Sequence, residues 1–115
     1  MLPFQLRQLP FYGLLLLVTY LSVLPKVETP SFDHSDKVLH LLAYIGVATW
    51  AYFGFPKANS KLAIFIILWS IGIELIQWQM PSRSFDLLDI LANSVGCLIG
   101  WQVMKRLQRI FPHIA

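Results

Sequence analysis

The residues of this 115-residue chain that could do chemistry recur at helical spacing. Asp36 and His40 are four apart, so a helix sets them on one face with Tyr44 a turn further on. Ser70, Glu74 and Gln77 fall within about 60° of one another at 100° per residue. Asp86, Asp89, Asn93, Gly96 and Gly100 fall within about 80°. A carboxylate beside a histidine can hold or pass a proton. Arg83 offers a fork of donors suited to phosphate or carboxylate, and Lys37 a point charge.

Each of these residues also has a structural reading. Asp86 can complement the dipole at a helix N-terminus, with Ser84 as cap. Arg83 can clamp Asp86 or Asp89. Asn93 with Gly96 and Gly100 reads first as a helix-packing face, because glycines four apart let backbones approach and an asparagine can bond across helices. His40, Glu74 and Asp89 have the side-chain types of metal ligands, but their spacing shows no site, so no metal and no cofactor is expected. Cys97 is alone and reads as a small core residue. There is no phosphate-cradling glycine loop, no His-Glu-x-x-His and no nucleophile elbow.

The elements that must position these groups are strongly apolar. The chain is 57% hydrophobic and 13% charged, against about 25% charged in a soluble domain. Mean hydropathy is +0.62. Four apolar stretches, about residues 9–24, 38–55, 62–80 and 87–104, approach the roughly 20 residues needed to cross the hydrocarbon core. Leu21-Ser22-Val23-Leu24-Pro25 offers no small-x-small cleavage site, so the first stretch is expected to be retained. The predicted fold is an all-α membrane protein: one domain over 1–115, a four-transmembrane-helix antiparallel bundle with short loops.

Charge sets the expected orientation. With four spans, Arg7, Lys57, Lys61, Lys105, Arg106 and Arg109 share one side, and Lys26, Lys37 and Arg83 the other. The richer side is predicted to be cytoplasmic, with both termini there. All six carboxylates, Glu28, Asp33, Asp36, Glu74, Asp86 and Asp89, then lie in the outer half. The net charge of +3 does not point to nucleic acid, because the basic residues form no stripe beside aromatics.

Taken together, Asp36-Lys37-x-x-His40-x-x-x-Tyr44, Glu74-x-x-Gln77-x-x-x-Pro81-x-Arg83 and Asp89-x-x-x-Asn93-x-x-Gly96-x-x-x-Gly100 resemble the motifs of the VanZ-like membrane proteins. The resemblance covers about residues 36–100. It implies a multi-pass protein of the bacterial inner (cytoplasmic) membrane with a role in the cell envelope. The founding member of that family is associated with resistance to the glycopeptide teicoplanin.

Three functions follow from the polar set. The first is binding of an anionic envelope lipid or lipid-linked precursor near the outer face, by Asp36, Lys37, His40, Tyr44, Glu74, Gln77, Arg83, Asp86, Asp89 and Asn93. The second is an enzyme acting on lipid headgroups, with His40, Glu74 or Asp89 catalytic. The third is a small proton-coupled transporter, which needs a site reachable from both faces. Sequence does not fix the oligomeric state.

Overall fold

The computed structural model describes residues 4–23, 35–55, 60–79 and 87–115. Four α-helices follow in order: α1 (Phe4–Val23), α2 (Ser35–Gly54), α3 (Ser60–Trp78) and α4 (Leu87–Ile110), then a 3-10 turn at Pro112–Ile114. The bundle is long and narrow, 46 × 24 × 23 Å. Helices of 19 to 24 residues rise about 28–36 Å, the thickness of a bilayer core.

Side-chain distribution supports a lipid surround. Leu16, Leu39, Leu42, Leu68, Leu87 and Leu98 are all more than half exposed, while Arg7, Ser70, Glu74, Gln77, Asp89 and Asn93 are buried. In water that arrangement exposes far more continuous apolar surface than a soluble monomer tolerates. In hydrocarbon it is the favourable arrangement, with polar groups turned inward. Three helices, α1 over Leu6–Val23, α3 and α4, are long and apolar enough to cross a membrane. Helix α2, expected as a fourth span, is not among them; Asp36, Lys37, His40 and Thr49 dilute its apolarity.

Contacts order the helices around the bundle as α1, α2, α4, α3. The α1/α2 pair is antiparallel, with Arg7 at Phe53 and Leu14 at Gly46. Cys97 reaches Ala63 across the α3/α4 pair. Helices α2 and α4 run parallel, because Lys37 meets Asp89, His40 meets Asn93 and Gly100 meets Thr49. Helices α1 and α3 are also parallel, through Thr19 to Trp69 and Ser22 to Gln77. Short loops predicted that successive helices would all be antiparallel neighbours. Instead α2 and α3 sit mainly across the diagonal, because α2 takes α4 as its close partner.

Glycine explains that choice. A Cβ at Gly96 would lie 2.5 Å from the Leu41 carbonyl oxygen, and one at Gly100 would overlap the Ile45 carbonyl oxygen. Only hydrogen fits there, so the two backbones touch. Around and below this contact Phe11, Leu15, Tyr44, Val47, Ala48, Ala51, Ile66 and Cys97 form the core.

Two helix ends differ from expectation. Helix α1 starts at Phe4 rather than near residue 9, and carries Pro10 inside it; proline is tolerated in a helix whose surroundings satisfy the freed carbonyl. Helix α4 runs six residues past the apolar stretch, through Lys105, Arg106 and Arg109 to Ile110. Lys, Arg, Leu and Gln are good helix formers, so the helix outlasts its apolarity.

Candidate polar site at one end of the bundle

The three polar stripes expected from spacing turn inward. Helix α3 buries Ser70, Glu74 and Gln77, and α4 buries Asp89, Asn93, Gly96 and Gly100. Glu74 is 2% exposed, Asn93 3% and Asp89 7%. The polar sides turn inward, where they find other helices' polar groups or backbone carbonyls, because each helix hides them from the apolar exterior.

Two contacts join α2 to α4. Lys37 Nζ lies 3.7 Å from Asp89 Oδ1. One turn deeper, His40 Nδ1 and Asn93 Oδ1 are 3.1 Å apart. An amide oxygen only accepts, so with this orientation the His40 Nδ1 carries a proton and donates it. A third contact ties α3 to α1: Gln77 Nε2 donates to the Ser22 carbonyl at 2.7 Å. Tyr44 is buried one turn below His40, in the same core layer as Cys97. Lys37 is the shallowest of the group, its side chain 24% exposed.

The site residues therefore divide by depth. Lys37 stands at the rim with partial access to the outside. His40, Asp89 and Asn93 lie behind it, and Glu74 and Gln77 come from the facing helix. Among the described residues this is a mixed-charge cluster, with Lys37 at its edge and the Glu74 and Asp89 carboxylates inside. Such a cluster can grip a group that carries a phosphate, or hold a proton on a buried carboxylate. Among the described residues no three of His, Cys, Asp and Glu gather to hold a metal ion.

Not every expected site residue can be placed. Asp36 lies in the first turn of α2, but its side chain is outside the described set. Arg83, Asp86, Pro81 and Ser84 also lie outside the described residues. In the described contacts His40 meets Asn93 and Lys37 meets Asp89.

Sequence reasoning missed one group altogether. Arg7, counted as an anchor that sets orientation, is 4% exposed. Its Nε donates to the Phe53 carbonyl and its two Nη atoms to the Ile114 and Ala115 carbonyls, each at 3.1 Å. Its guanidinium lies 4.4 Å from the centre of the Phe53 ring. The signal was present: Arg7, Phe11 and Leu15 are four apart and all three are buried, so Arg7 opens the inner face of α1.

Among known proteins the chain is similar to an uncharacterised protein of the yeast Schizosaccharomyces pombe, 30% identical over 95 residues. That alignment covers 78% of this chain, and 57% of the yeast protein. The chain thus spans little more than half the length of that relative. A relative in yeast also means that the sequence pattern is not confined to bacteria. No solved structure matches. The VanZ/LLP1 family matches over residues 3–109, which includes α1 to α3, α4 but for its last residue, and all three motifs, and the chain belongs to that family.

Proposed function

We propose that this VanZ/LLP1 protein is a four-pass membrane protein whose polar cleft binds the headgroup of a phosphate-bearing envelope lipid or lipid-linked precursor. Both termini face the cytoplasm and the cleft opens at the opposite face. The observation that carries this reading is the burial of Glu74, Gln77, Asp89 and Asn93 behind a half-open Lys37 at one end of the bundle. Removing charged and amide groups from water is costly, and well-packed apolar residues usually give equal or better stability. A bundle held together for packing alone has no need of two buried carboxylates. Lys37, with Arg83 of the second motif, supplies the positive charge for a phosphate. The half-buried His40, paired with buried Asn93, and Gln77 keep the walls in register.

On this reading glycopeptide resistance is a role of particular family members rather than the common activity. Transport, which needs access from both faces, fits poorly: beneath the cleft lie Tyr44, Val47, Ala48, Ile66 and Cys97, all 2% exposed or less.

Native mass spectrometry of the detergent-purified protein tests the proposal. The wild type should retain a phosphate-bearing lipid, and Lys37→Ala and Arg83→Ala should lose it. Equal retention in all three removes the idea. If instead purified protein turns over a headgroup-labelled phospholipid and Glu74→Gln abolishes that turnover, the cleft is an active site and Glu74 its base.

A further inference from the structure

The opposite end of the molecule carries a different surface. On the outer side of α4, Leu98, Gln102 and Arg106 form one row at four-residue spacing, and Ile99 and Val103 form the next. Between the rows runs an open groove of about 360 Å³. Its floor and walls are apolar until the last turn, where Gln102 and Arg106 stand at its end. The α2/α4 register locates that end. Lys37 opposite Asp89 and His40 opposite Asn93 give offsets of 52 and 53 residues, which sets Gly54, the last residue of α2, level with about residue 106. Arg106 thus stands at the rim of the bundle, and α4 continues one turn beyond it.

Charge at this end is of one sign. Lys105, Arg106 and Arg109 are exposed on α4, as is Lys61 on α3. No aspartate or glutamate occurs after Asp89, or between Lys37 and Glu74, or before Glu28. A phosphate at Arg106 meets no neighbouring carboxylate, in contrast to the mixed-charge cleft at the other end. The groove's length runs along the helix, parallel to the direction of an acyl chain.

We propose that this groove is a second, separate lipid site, which holds one acyl chain of an anionic glycerophospholipid along Leu98, Ile99 and Val103 and its phosphate at Arg106 and Gln102. The assignment needs α4 to span the membrane, as its length and apolarity allow, but it does not depend on the polar cleft. Arg106 binds the phosphate as a fork rather than as one more point in a diffuse positive field, so position matters as well as charge.

The test is native mass spectrometry of the full chain titrated with phosphatidylglycerol or phosphatidylcholine, beside Arg106→Ala, Val103→Gln and Lys61→Ala. All three positions face outward, so folding should survive each change. Wild type should prefer phosphatidylglycerol. Arg106→Ala should weaken its retention about fivefold or more, Val103→Gln should weaken both lipids, and Lys61→Ala should match the wild type. Equal losses in Lys61→Ala and Arg106→Ala, or no preference for the anionic lipid, overturn the site. Asn93→Ala separates the two proposals: if it removes the retained phosphatidylglycerol while Arg106→Ala does not, the lipid belongs to the polar cleft and the groove is empty.

Discussion

Replacing Gly96 by alanine should open the bundle at its tightest point. The added Cβ would sit 2.5 Å from the Leu41 carbonyl oxygen, and 3.2 Å from both the Ile45 nitrogen and the Tyr44 Cβ. A carbon facing a carbonyl oxygen settles at about 3.3 Å or more, so α2 and α4 must part by about 0.8 Å. Both obstructing atoms nearest the new carbon are backbone, so no side chain can swing aside. Overpacking of this kind costs about 1–3 kcal/mol. Separation also stretches the His40–Asn93 hydrogen bond one turn away, from 3.1 Å toward the limit of bonding; interhelical bonds in membranes contribute about 0.6 kcal/mol on average. Better helix propensity returns about 0.5–1 kcal/mol. The net loss should be about 1–3 kcal/mol, read by denaturant titration in mixed micelles. Gly72→Ala is the control, because nothing lies within 4 Å of its added Cβ. It should leave stability unchanged or raise it by up to about 1 kcal/mol. If Gly96→Ala unfolds at the same denaturant concentration as Gly72→Ala, the close α2/α4 contact is wrong.

Two further changes probe the buried polar groups. Arg7→Met should cost about 2–3 kcal/mol, since three carbonyl oxygens lose a charged donor; Arg7→Lys should recover less than half, because an ammonium cannot reproduce the fork. Both are read by the same micelle titration. A double-mutant cycle of His40→Phe with Asn93→Leu should give a coupling of about 0.6 kcal/mol and no more than about 1.7. A coupling of zero would mean that the two helices do not bond there.

How far sequence alone reached depends on which physical signal carried each feature. The inward stripes of α3 and α4 were legible, because a residue's face follows from spacing and a lipid exterior leaves polar groups only one way to turn. So was the packing role of Gly96 and Gly100. Their partner was not: the same glycine face suits any helix, and only the tertiary register shows Leu41 and Ile45 filling it. Apolarity along α4 ends at residue 104, while backbone propensity carries the helix to Ile110. The bonding of Arg7 is not legible in sequence, because its carbonyl partners at Phe53, Ile114 and Ala115 are 46 or more residues away. The Lys37–Asp89 and His40–Asn93 pairs were hidden for the same reason, since local i, i+4 partners are visible in sequence and parallel-helix partners are not.

Entry of a phosphate-bearing lipid into the proposed polar cleft between α2, α3 and α4 is tested most directly by reconstituting the protein with a phospholipid that carries a photoreactive group on its headgroup, and mapping the adducts by peptide mass spectrometry. Adducts at Lys37 and along the first two turns of α2 and α4, displaced by unlabelled phospholipid and lost in Lys37→Ala, are the predicted result. Adducts spread over the outward leucines, with none near Lys37 or Asp89, would contradict it.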